Sequence, residues 1–165
     1  MRNNQPVTNR EQLFPEGEFL ISKTDLTGTI TYANRAFCRI AGYSEGELIG
    51  QPHNIVRHPD MPEAAFAELW HDVQNGQEWH GLVKNRCKNG DHYWVKATIM
   101  AELDAQGSIL GYISVRRSPA SAGMSSEECA TALAELVANV VPASRPDGEA
   151  VDLVSEIPSE TDQGL

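Results

Sequence analysis

The chain has 165 residues, of which 41% are hydrophobic and 22% charged, a size that suits one folded domain with tails. Its formal charge of −10 is uneven: residues 1–118 hold 12 Lys and Arg against 14 Asp and Glu, residues 119–165 one Arg against nine acids. This balance lacks the positive surface that nucleic acids select, and no run approaches the ~20 apolar residues of a membrane span.

Residues 1–17 are polar and irregular, with Pro6 and Pro15, and read as an N-terminal cap or arm. The start Arg2-Asn3-Asn4-Gln5 has no apolar segment of a signal peptide, so the protein reads as soluble and cytoplasmic. Glu18 to Thr24 reads as a short strand. Asp25 to Gly28 is a turn, and Thr29 to Tyr32 is the hairpin partner. Asn34 is placed to cap a short helix whose Phe37, Ile40 and Ala41 share one face, with Gly42 as its stop. Ser44 and Glu47 form a capping box that opens another short helical turn ending at Gly50.

The segment Gly50-Gln51-Pro52-His53-Asn54-Ile55-Val56-Arg57-His58-Pro59-Asp60-Met61-Pro62 is the densest in functional groups. Its three prolines limit any helix to short turns. It reads as a stiff loop that fixes two imidazoles, a guanidinium and a carboxylate. His53 and His58 are five residues apart, which is not the spacing of a helical metal pair.

Pro62 to Asn75 carries Ala65, Phe66, Leu69, Trp70 and Val73 at helical spacing, with Gly76 as the stop. Three strands follow: Glu78 to Arg86, His92 to Leu103, and Ser108 to Arg116. The turn Lys88-Asn89-Gly90-Asp91 joins the first two. Two strands, short helices and three strands predict an α+β fold with a five-stranded antiparallel sheet and helices on one face. Residues 119–142 read as a linker and an amphipathic helix, and 143–165 as an acidic disordered tail. Cys38, Cys87 and Cys129 are odd in number and without CxxC spacing, which fits a reducing compartment and no zinc site.

Several of these motifs occur together in one family. Asp25-Leu26-Thr27-Gly28, Asn34 three residues before Phe37, and Gly42-Tyr43 resemble the marks of a PAS domain. The 50–62 loop, with Val83-Lys84-Asn85-Arg86 and Lys88 to Val95, looks more specifically like the FAD-binding PAS domain of bacterial Aer-type aerotaxis receptors. The resemblance covers roughly residues 18–118. It implies a sheet order of 2-1-5-4-3 and a pocket between sheet and helices. It also implies non-covalent FAD and redox sensing, with output to a signalling partner protein or through self-association of the PAS domain. No methyl-accepting coiled coil or membrane helix is read in this sequence.

A flavin ring needs an apolar slot and a few edge hydrogen bonds. Phe66, Trp70, Trp79, Leu82, Ile99 and Ile113 are the expected walls. Asn85 is the expected amide at the ring edge, with Asn34 as a second. Arg57 and His58 suit the pyrophosphate or the charge of reduced flavin, and Asp60 a ribose hydroxyl or either cation. His53 and Tyr93 complete the cofactor-binding set. Each has a plainer reading. Asn34 is also an N-cap, Trp79 a sheet aromatic, Phe66 a core residue, and Asp60 a turn organiser. No nucleophile–base motif, P-loop or dinucleotide fingerprint is present, so no enzymatic activity is expected. The 50–62 loop has no cysteine, so a light-driven thiol adduct is disfavoured. The alternatives are a cofactor-free PAS interaction module and a haem-binding PAS gas sensor, for which His71 is the only histidine on the long helix.

Overall fold

Asp25 folds the chain back between the first two strands. Its Oδ1 accepts from the amides of Thr27 (2.9 Å) and Thr29 (3.0 Å). The strands so joined are β1 (Phe19–Thr24) and β2 (Ile30–Ala33). Helices α1 (Arg35–Ala41), α2 (Glu45–Leu48) and α3 (Glu63–Gln74) follow, then strands β3 (Trp79–Arg86), β4 (His92–Leu103) and β5 (Ile109–Arg117). Helix α4 (Ser126–Val140) comes last. The computed structural model describes residues 4–140. The expected disordered tail, 143–165, lies outside them.

The strands form one antiparallel sheet in the order β2-β1-β5-β4-β3, the order that the family resemblance implies. The two predicted caps form. Asn34 Oδ1 accepts from the Phe37 amide, and Ser44 and Glu47 make a reciprocal capping box. Each cap satisfies amides that a helix start leaves without partners.

Strand alternation decides what faces the helices. Leu20 and Ser22 of β1, Val83 and Asn85 of β3, Tyr93, Val95, Ala97 and Ile99 of β4, and Tyr112, Ser114 and Arg116 of β5 share the inner face. Phe37, Leu48, Leu69, Trp70 and Val73 bury against it. Each such side chain contributes roughly 1.5–3 kcal/mol by leaving water. Trp70 meets Tyr112 edge-on, with centroids 5.2 Å apart.

Two expected wall residues lie on the other face. Leu82 alternates with Val83, and Ile113 with Ser114. Leu82 lies beside Phe19, His80, Lys96 and Val115 on the outer surface. That outer face is itself partly covered. Cys129 of α4, with Phe14 and Met124, lies there around Trp94, and Leu133 of α4 packs by Trp79 and Leu82 of β3. Among the described residues, no helix is long and apolar enough to cross a membrane.

The N-terminal arm lies along the β3–β4 hairpin. Thr8 donates its amide to Gly90 O at 2.9 Å, and Gln12 donates to His92 O at 2.6 Å. The His92 amide donates to Arg10 O at 3.0 Å. Gly90 has φ +97°, and a Cβ on it would stand 2.8 Å from Pro6 O. Glycine therefore meets both the turn's backbone geometry and the arm's approach.

Candidate cofactor-binding site

The loop that the prolines stiffen is held at both ends. At its start the Ile30 amide donates to Gln51 O at 2.8 Å and the His53 amide to Gly28 O at 3.0 Å. His53–Val56 then forms a single 3-10 turn, and Arg57 closes it by donating its amide to Asn54 O at 3.0 Å. At its end the Arg57 backbone bridges Asn85 of β3. The arm adds a third anchor. The Asn4 side-chain amide nitrogen lies 3.0 Å from Asn54 O, 3.3 Å from Ile55 O and 2.8 Å from Arg57 O.

Between this loop, α3 and the sheet lies a cavity of about 40 Å³. Val56, Phe66, Leu69, Val83, Ala97 and Ile99 form its apolar walls, and His53, Asn54, Arg57, Asn85, Ser114 and Arg116 its polar edge. Several polar atoms here are buried with unused capacity. Asn54 Oδ1 and Arg116 Nε have no hydrogen-bond partner among the described residues. Apolar walls with a few convergent polar groups are what an aromatic ligand with polar edges requires. The enclosed space is far below the ~300–1,000 Å³ of a typical ligand pocket. Arg57, whose guanidinium lies 3.8 Å over the Phe66 ring, fills part of the difference. The donor set fits a flavin, a group larger than the cavity as it stands.

The polar edge is cationic. Arg116 is 2% exposed and donates to Ser114 Oγ (3.1 Å), Ser22 Oγ (2.9 Å) and His53 Nε2 (3.0 Å). A guanidinium only donates, so His53 Nε2 is an acceptor and its ring proton sits on Nδ1. Burial, then the charge of Arg116, push the His53 pKa down to about 3, so the ring is neutral at physiological pH. His53 stacks on Phe37, with centroids 5.8 Å apart and planes at 12°. Phe37 also lies under the Arg116 guanidinium at 4.4 Å.

The structure brings His53, Arg57, Phe66 and Asn85 of the expected set to this cavity. It places the others apart from its lining. Asn34 is held by the fold: its Oδ1 also accepts from the Ile21 amide and its Nδ2 donates to Phe19 O. His58 is buried behind the loop, where its Nδ1 accepts from the Asp60 amide at 3.0 Å and its ring meets His92 edge-on. Burial and the charge of Lys84 lower the His58 pKa to about 4. Asp60 turns outward to Lys84 at 2.8 Å. Burial works to raise its pKa, but the hydrogen bond and charge of Lys84 outweigh this and hold it low.

Trp79 lies over Gly81, where an added Cβ would stand 2.3 Å from its ring, and beside Leu133 and Leu136 of α4. Trp70 lies in the core and outside the lining. Tyr93 is fully buried opposite Asn85, and burial raises its pKa. His71, the haem candidate, is exposed on α3. The lining contains no cysteine. Reading the sequence did not find Asn54, Ser114 and Arg116. The signal for the last two was the alternation Tyr112, Ser114, Arg116 on β5.

The family model described as PAS fold matches residues 30–116, which is more than half of the chain. The chain belongs to the PAS-fold family. This PAS domain is 48% identical over 116 residues to the aerotaxis receptor of Escherichia coli, covering 70% of this chain and 23% of the receptor. A nitrogen fixation regulatory protein of Klebsiella pneumoniae is 35% identical over 97 residues, covering 59% of this chain and 20% of that protein. The chain thus spans about a fifth of the length of these relatives. Among solved structures, a PAS domain from Colwellia psychrerythraea superposes with a TM-score of 0.57 at 27% identity, covering 61% of this chain and 85% of that one. A light-oxygen-voltage domain described with a flavin analogue gives 0.59 at 21% identity, covering 73% and 87%. The second likeness is one of fold.

Proposed function

We propose that this PAS domain is a cytoplasmic redox or oxygen sensor of the aerotaxis type. It holds FAD non-covalently between the 53–57 turn, α3 and the sheet. The observation that carries this reading is the cavity, with its apolar walls and its edge of Asn54, Asn85, Arg57 and Arg116. The identity to an aerotaxis receptor supports it. Bound flavin would supply reversible uptake of electrons. The protein's own residues do the rest. Phe66, Leu69 and Ile99 shield the ligand from water. Asn85 offers both a donor and an acceptor, so its amide can suit either of two ligand states by turning over. Arg57 shares its backbone with the loop end, so a change in its charge environment is passed to residues 53–57 and to Asn4. Two ligand states with different contacts shift the population of two loop states. A signalling partner, or a second PAS domain, reads the result.

The test is the absorption spectrum of freshly purified protein, followed by heat release and chromatography of the ligand. Oxidised flavin bands and released FAD are expected. Release of FMN alone would remove the role of the charged loop in holding pyrophosphate. A colourless protein that takes up no added FAD favours the cofactor-free interaction module.

A further inference from the structure

Arg116 is the most unusual group in the molecule. Its guanidinium is 2% exposed, and the groups that accept its hydrogen bonds are neutral: two serine hydroxyls and an imidazole nitrogen. Among the described residues no carboxylate forms an ion pair with it. Burial lowers its pKa only to about 10, so it stays charged at neutral pH. Its Nε has no partner, and it lines the cavity together with the guanidinium of Arg57. A buried charge without a counter-ion is costly, and the interior's low dielectric strengthens its attraction to any anion admitted beside it. The neighbouring His53 cannot offset this charge, because as an acceptor from Arg116 it is neutral.

We infer that Arg116 makes the cavity select the negatively charged form of its ligand over the neutral form, and so raises the reduction potential of bound flavin. This rests on the flavin reading above. Reduction by an added chemical reductant delivers two electrons, and uptake of one proton leaves the ring singly negative. No bond to the protein forms or breaks. If that form is held more tightly than the oxidised one, linkage moves the potential upward. A tenfold preference corresponds to about 30 mV for a two-electron couple. Arg116 is thereby a tuning residue for the sensor, and the serines and His53 hold its guanidinium in place.

The experiment is a dye-referenced reductive titration of the full chain loaded with FAD, in wild type, Arg116→Gln and Ser114→Asp. The second variant keeps the arginine and gives it a carboxylate in the place of the hydroxyl it contacts at 3.1 Å. Both should lower the midpoint by about 30 mV or more, a tenfold loss of preference. Arg116→Lys should fall between wild type and Arg116→Gln. A variant midpoint within twofold of wild type, about 9 mV, overturns the inference. Should Arg116→Gln fail to hold flavin, the Ser114→Asp result decides on the same thresholds. Wild type that takes up no FAD refutes the flavin reading itself, and with it this inference. Flavin-loaded variants with unchanged midpoints refute only the role of Arg116.

Discussion

The backbones of Arg57 and Asn85 pair as an isolated antiparallel bridge. They lie 28 positions apart. Through this pair the loop end is tied to β3, and both side chains line one cavity. A ligand that moves either residue therefore pulls on both the loop and the sheet.

Removing the Arg57 side chain tests the loop's share of binding. A charge-assisted hydrogen bond to a ligand phosphate contributes about 1.5–3 kcal/mol, or tenfold or more in affinity. Arg57→Ala should weaken flavin affinity, measured as Kd by titration, by at least that factor and leave the fold intact. His58→Ala should act less directly, because His58 lies behind the loop with its Nδ1 on the Asp60 amide. Equal retention of flavin by Arg57→Ala and wild type would take Arg57 out of the site.

Asn4 is expected to stabilise the loop from outside. Its buried amide nitrogen serves the carbonyls of Asn54, Ile55 and Arg57. Asn4→Ala leaves those carbonyls without that donor, at a cost of about 1–3 kcal/mol. Denaturant unfolding should show the loss, and hydrogen exchange should quicken first in peptides covering 53–58. A loss of stability without any local change in exchange would mean that the arm acts elsewhere.

Much of the fold was legible because its signals are local. The Asp25 turn, the Asn34 cap, the Ser44–Glu47 box and the Asn89-Gly90 turn each draw their hydrogen bonds from a few neighbouring residues. The site was legible only in part. Leu82 and Ile113 were placed on the wrong face because α4 and the arm bury part of the outer face too. Apolar residues then occur at both parities, and period two no longer marks the inside. Arg116 was missed because a buried arginine runs against the usual preference of its type. The reach of Asn4 to the 54–57 turn spans some fifty residues, and no local pattern encodes it.

The buried imidazoles predict acid sensitivity. His53 falls from the ordinary 6.5 to about 3, and His58 to about 4. Both are neutral in the folded state and would take up a proton near pH 6.5 once unfolded. The unfolded chain thus binds more protons as pH drops, and stability declines with it. Their contribution is complete above pH 6.5 and is lost progressively as pH falls from 6.5 toward the folded values. Chemical unfolding of apoprotein between pH 4 and 7 should show this slope. His58→Gln and His53→Gln should each flatten it. Parallel slopes in wild type and both variants would show that other groups set the dependence.

Gly81 holds space for the Trp79 ring. A Cβ there would stand 2.3 Å from the ring, so Gly81→Ala must displace the indole. Overpacking of this kind costs typically 1–3 kcal/mol. Since Trp79 also adjoins Leu133 and Leu136 of α4, tryptophan fluorescence and protease cleavage near residues 126–140 should change together. An unchanged spectrum would mean that the ring already has another place to go.

The last expectation concerns the signal. Asn85 faces the cavity, and its backbone is bridged to Arg57, whose carbonyl accepts from Asn4. This is a continuous path from the cavity edge to the N-terminal arm, made of a backbone bridge and a side-chain hydrogen bond. Reduction of flavin-loaded protein should therefore alter hydrogen exchange at 53–58, at residues 83–86 and along the arm near Thr8 to Gln12. Asn85→Asp replaces the amide's donor by a carboxylate oxygen, which only accepts when ionised. That variant should bind flavin more weakly and lose the difference in exchange between oxidised and reduced protein. The new carboxylate would also lie in a cavity that Arg57 and Arg116 line, where it can neutralise a cation. A fall in midpoint potential is then expected alongside the lost response. Identical exchange in oxidised and reduced wild type, peptide by peptide, would make the flavin a passive occupant. The interaction-module reading would then be the better account of this domain.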